Sequence, residues 1–141
     1  MQKVASWVAI VVGIVMVIAG IATWVVISNT LASQRITVAA DADCAAGDDV
    51  NGPISAFCQA AVIDKHTLNI TGGKTYSELD RDDPNRATAM NSAFLQASLF
   101  TSVVAFGVCL MAIGVGAVLA LIGFALRSTA SARAPSEAAT T

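Results

Sequence analysis

Two long runs without a charged residue constrain this chain more than any other feature. Residues 4–34 pass 31 positions without an acid or a base, and residues 87–126 pass another 40. One charge at mid-membrane costs roughly 2.5–3.5 kcal/mol on insertion scales, so lipid keeps such runs clean, whereas water places no such demand. The first run predicts a transmembrane helix over 4–27, whose 24 residues rise about 36 Å against a hydrocarbon core of about 30 Å. The second predicts another over 98–126. Composition agrees: 13% of the residues are charged, where soluble domains carry about 25%. The expected fold is mainly α, with two antiparallel transmembrane helices and a small extracytoplasmic α(+β) loop domain between them.

The first span reads as an anchor rather than a cleaved leader, because a secretory apolar stretch runs about 7–15 residues. Trp7 and Trp24 lie 17 residues apart, or about 26 Å along a helix, which sets one indole near each interface. Lys3 and Arg127 flank the spans closely on one side, while Arg35 and Arg86 stand farther out on the other. That asymmetry favours cytoplasmic termini, 1–3 and 127–141, in the plasma membrane. Cysteine usage points the same way. Cys44 and Cys58 share the loop with 13 residues between them, and an exported pair is expected to oxidise. Cys109 falls in the second span and reads as a small packing residue. The tail after Leu126, rich in Ala, Ser and Thr, reads as disordered.

The extracytoplasmic part, 28–97, holds 13 of the 18 acids and bases between Asp41 and Arg86. Arg35 to Ala39 alternates like a short strand, with Ile36 and Val38 on one face. Asp41 to Gly52 is an acidic turn. Asn51-Gly52-Pro53 is a helix entry with proline in the first turn. Ile54, Phe57, Cys58, Ala61, Val62, Lys65 and Leu68 then follow helical spacing up to Gly72-Gly73. Thr75 to Glu78 fits a capping box. Asp82-Asp83-Pro84 predicts the start of a helix continuous with the second span, about 43 residues and about 65 Å long. Its first turns must stand outside the bilayer, with Met90, Phe94 and Ala97 expected to face the loop helix.

Both spans carry glycine at heptad spacing: Gly13 with Gly20, Gly107 with Gly114, and Gly116 with Gly123. A seven-residue repeat keeps to one side of a left-handed helix pair, and small residues let backbones approach in lipid. Two spans satisfy each other with one face apiece, which leaves a glycine face for a partner protein.

No reaction chemistry emerges from the residue types. His66 is the single histidine, while a non-haem iron triad takes two histidines and a carboxylate, and zinc sites take His or Cys clusters. The acids around Cys44 and before the long helix do not follow EF-hand spacing. Neither span holds an ionisable group of the kind that marks an ion pathway. A net charge of −2 lacks the basic stripe that nucleic acid requires. The expectation is a non-enzymatic protein without metal or cofactor, partnered by the lipid bilayer and other membrane proteins.

The order Thr23-Trp24, Arg35-Ile-Thr-Val38, Gly52-Pro53 with Phe57 and Gln59-Ala60, then Ile63 and His66, resembles a group of small actinobacterial two-pass membrane proteins. Gly73 to Leu79, Asp82-Asp83, Arg86, Ser98-Leu99-Phe100 and Ala105-Phe106-Gly107 extend the likeness over residues 5–126. That group often carries the label aromatic ring-opening dioxygenase, which this sequence contradicts by lacking the iron ligands. The group has no established activity to carry over, and the resemblance implies His66, Tyr76 and Arg86 as contact or folding residues. The outer domain and the glycine faces point to an accessory or structural subunit of a larger membrane complex, for which the resemblance makes a respiratory or envelope assembly the setting. A competing reading from another class is an extracytoplasmic module that binds or senses a small ligand or a cation.

Overall fold

The computed structural model describes the backbone of residues 2–137 and the side chains of residues 4–128. Three α-helices follow in order: α1 (Gln2–Ser33), α2 (Pro53–Ile70) and α3 (Arg86–Glu137), with a single 3-10 turn over Tyr76–Glu78 before α3. α1 and α3 are long and apolar enough to cross a membrane, over Val4–Ser33 and Arg86–Ser128. The chain forms two compact units, one of Met1–Trp24 with Val108–Thr141 and one of Val25–Gly107.

The first unit is an antiparallel pair of helical segments that meet on small residues. A Cβ built on Gly13 would fall 2.5 Å from the Gly116 carbonyl oxygen, and one on Gly123 would fall 2.8 Å from that of Ser6. Only the absence of side chains allows this approach. Ser6, Ile10 and Cys109 are buried at the contact, while Val8, Val15, Ile18, Val118 and Leu121 face outward. An exterior this apolar matches a hydrocarbon solvent, because lipid tails carry no penalty for exposed valine and leucine.

The second unit has its core at Val38, Val50, Ala56, Cys58, Ala60 and Leu99. α1 ends where Arg35 turns left-handed, at φ 52°. The backbone then makes an abortive hairpin: Val50 N–H donates to the Ile36 carbonyl (2.8 Å) and Val38 N–H to that of Asp48 (2.9 Å). The expected strand over 35–39 reduces to one antiparallel bridge, Thr37 with Asp49, and no strand occurs among the described residues. The physical reason is the partner: Ala45 (φ 50°) and Gly47 (φ 80°) bend the returning chain after too few residues to extend a ladder.

α2 begins as expected at Pro53, with Ser55 Oγ accepting the N–H groups of Asn51 and Gly52 at 3.2 and 3.3 Å. Its buried face differs from the expected one. Ser55, Ala56, Cys58, Ala60, Val62 and Thr67 are buried, whereas Ile54, Phe57 and Ala61 are exposed. At 100° per residue the buried set spans an arc of roughly 200°, because α2 meets the bridged hairpin on one side and α3 on the other. Small residues serve such a double contact better than the large apolar ones.

The Thr75 capping box closes the 3-10 turn, with Glu78 Oε2 accepting from both the N–H and the hydroxyl of Thr75 at 2.8 Å. α3 starts at Arg86, two residues after Pro84. Asp83 provides the stop: its Oδ1 accepts the Asn85 N–H at 2.8 Å and its carbonyl accepts that of Arg86. Met90, Phe94 and Ala97, expected to face the loop helix, are exposed, and Ala89 and Leu99 are the buried positions of this stretch. Past Leu126 the helix continues through Glu137, so the stretch expected to be disordered is helical that far. Propagating a formed helix costs little once its nucleus exists, and the run after Leu126 carries nothing to break it before Pro135. The last four residues of that expected tail, and the first of the expected terminus 1–3, lie outside the described residues.

Candidate functional site

The acidic turn after the bridge is strapped to α2. Cys44 and Cys58 form a disulfide with their Cα atoms 5.6 Å apart. Around it Gln59 Oε1 accepts the Ala39 N–H (3.1 Å), and Lys65 Nζ donates to the Asp41 carbonyl (3.2 Å) and pairs with Asp43 (3.7 Å). His66 Nε2–H donates to Asp41 Oδ2 at 2.6 Å. Cys58, Gln59, Lys65 and His66 recur at helical spacing along one side of α2, so one helix face holds the whole turn.

The hydrogen bond from His66 holds the Asp41 carboxyl below its ordinary value of 3.8, with its own backbone and the charges of His66 and Lys65 adding to the effect. A depressed carboxylate stabilises the fold above its ordinary value and loses that contribution as pH falls through the lowered one. An Asp41→Asn chain is therefore expected to unfold at a lower temperature than the parent at pH 6. The gap should close as pH drops below 3.8, in thermal scans of detergent-solubilised protein. Both side chains are about half exposed, so the gap is a few degrees at most.

Tyr76 and Arg86 belong together as well. The Arg86 guanidinium lies 4.4 Å from the Tyr76 ring centroid, and Nη1 donates to the carbonyls of Tyr76 and Leu79. This fixes the 3-10 turn to the first turn of α3. The three candidate contact residues thus make intrachain contacts: His66 with the acidic turn, Tyr76 and Arg86 with each other. Gln59 and Lys65 have equal parts in the strap, although the sequence marks Lys65 only by its helical spacing and Gln59 only within the resemblance, neither as a contact residue. Their signal was the spacing from Cys58, which becomes readable only once Cys58 is known to face the turn.

Of the six seam glycines, four lie at the contact in the first unit. Gly13 meets Gly116, Gly20 meets Cys109 and Ile113, and Gly123 meets Ser6 and Ile10. Gly107 and Gly114 do not. A Cβ at either would meet nothing within 4 Å. At the end of the same unit the Arg127 guanidinium sits 4.6 Å from the centroid of Trp7, a cation–π contact at the height of the expected inner interface.

No group of three or more His, Cys, Asp or Glu gathers at metal-binding distance among the described residues. Asn69, in an Asn-X-Thr triplet, is exposed near the end of α2, and the Thr71 hydroxyl donates to the carbonyls of Thr67 and Lys74. Comparisons of the chain with family models, curated proteins and solved structures find no match.

Proposed function

We propose that this chain is a two-pass plasma-membrane protein that acts as a non-enzymatic accessory or structural subunit of a larger membrane complex, in a respiratory or envelope assembly. In this reading the termini are cytoplasmic and the strapped unit faces outward, where its disulfide is stable against cellular thiols. The observation that carries the reading is the open pair Gly107 and Gly114. The chain uses its other four seam glycines to bring its own helices together and leaves these two with bare backbone on α3. In lipid, where apolar surface alone drives no association, bare backbone at heptad spacing is what a second helix packs against.

Purification in a mild detergent followed by mass spectrometry tests this directly. The chain should co-purify in fixed stoichiometry with one set of membrane proteins. Changing both Gly107 and Gly114 to leucine should abolish that association while leaving the disulfide-bonded fold intact. A free, monodisperse protein in every mild detergent would sink the subunit reading.

A further inference from the structure

The two sulfurs of the strap are not equivalent. Cys58 is 2% exposed and belongs to the core with Val38, Val50, Ala56 and Leu99. Cys44 is exposed. Ala42 and Ala45 pack against the same core on either side of it, so Asp43 and Cys44 stand clear between them.

A thiol opens a disulfide by attacking one sulfur in line with the S–S bond, and access decides which sulfur that is. An attack on Cys58 has to arrive from the side away from Cys44, through the residues packed around it. An attack on Cys44 arrives from solvent. Leaving-group chemistry pulls the other way, because it expels Cys58 as a thiolate into apolar surroundings that disfavour the charge. That slows the step but opens no path to Cys58, since a close-packed core has no void to admit a thiol. Access wins.

Bonds on both sides of Cys44 hold the turn independently of the disulfide. The Ala39 N–H donates to Gln59, Val38 N–H to the Asp48 carbonyl and Gly47 N–H to that of Val38. Closure of an opened strap is therefore an intramolecular step between groups already held together.

We propose that Cys44 is a thiol-exchange site, through which a dithiol–disulfide partner makes and breaks the strap, with Cys58 as the resolving sulfur. In closure the Cys44 thiolate attacks one sulfur of the partner's disulfide. The mixed disulfide forms and the partner's other sulfur leaves, taking a proton from water. The Cys58 thiolate then attacks Cys44 Sγ and expels the partner's remaining sulfur as its second thiol. Two electrons pass to the partner, and the protons lost by Cys44 and Cys58 are balanced by those its two sulfurs gain. Opening is the reverse. None of this depends on the membrane placement or on a partner complex.

The full chain in detergent, its strap closed and glutathione as the probe, tests the order of attack. After an early acid quench and maleimide blocking, cleavage before Asp48 puts the two cysteines on separate peptides for mass spectrometry. Glutathione on Cys44 with maleimide on Cys58 should exceed the reverse pattern at least about tenfold, the ratio set by a core opening of only about 1.4 kcal/mol. Equal amounts of the two patterns, or glutathione chiefly on Cys58, overturn the assignment. Where closure outruns trapping, single-cysteine variants of the strap hold the adduct. Given oxidised glutathione, reduced Cys58→Ser should be modified at Cys44 at least about tenfold faster than Cys44→Ser is at Cys58. Both variants lose the strap, so its loss cannot account for a difference between them. Equal rates, or a Cys44 no more reactive than the buried Cys109, overturn the proposal.

Discussion

Replacing Cys44 and Cys58 together by serine is expected to lower the unfolding temperature of the Val25–Gly107 unit by roughly 12–24 °C. The estimate combines about 3 kcal/mol for opening a loop of this length with about 4–8 °C per kcal/mol in a unit of this size. The other straps cannot compensate. The Lys65–Asp43 and His66–Asp41 pairs are exposed, and solvent screening leaves pairs of that kind little to contribute. The loss also reaches the core, because Cys58 is buried among Val38, Val50, Ala56 and Leu99, where a serine hydroxyl has no apolar match. Thermal scans read by protease resistance of the Val25–Gly107 unit measure it. The same pair reports topology. In intact cells a maleimide should label Cys44 and Cys58 only after a membrane-impermeant reductant has been added; thiols free without reductant would reverse the orientation.

What the sequence made legible follows from where its physics is one-dimensional. A charge-free run is decided residue by residue, so both spans could be read without knowing their neighbours. Two cysteines in one loop leave a single pairing within it. The capping box at Thr75 is local as well. The features that needed the structure depend on relations between segments. The alternation at Ile36 and Val38 was real, and Val38 is buried, but whether it becomes a strand depends on how far residues 47–50 can run beside it. Helix faces were harder still. Between residues 89 and 100 the apolar side chains of α3 cover most of the helix circumference, interrupted by Asn91, Ser92, Gln96 and Ser98, so periodicity alone does not choose among them. Phe94 and Leu95 point outward at 67% and 52% exposure, while Ala89 is buried. Packing buried Ala89 and Leu99 and left Met90, Phe94 and Leu95 to whatever surrounds the protein. α2 repeats the pattern, with Ala56 and Ala60 inside and Phe57 outside, edge-on to Phe100 at 6.0 Å.

The glycines separate the two uses of bare backbone in a single experiment. Cys109 is the one thiol outside the disulfide, and it is buried at the helix contact beside Gly20. Its reaction with a small maleimide in detergent therefore reports how often the helices part. Gly116→Leu should speed that reaction by about 5–150-fold, the factor that corresponds to roughly 1–3 kcal/mol of overpacking. A side chain there meets the Gly13 carbonyl oxygen at 2.6 Å and the Val17 nitrogen at 3.0 Å. Those are backbone atoms, which cannot swing aside as a side chain would, so the helices themselves must separate. Gly114→Leu should leave the rate unchanged, since nothing lies within 4 Å of its missing Cβ. The two substitutions add the same atoms to the same helix two residues apart, and only contact with α1 distinguishes them. Equal rates in both variants would mean that the pairing in the first unit does not depend on glycine. They would also remove the reason to assign Gly107 and Gly114 to a second helix, because the bare backbone at Gly13 and Gly116 would no longer be what joins helices in this protein.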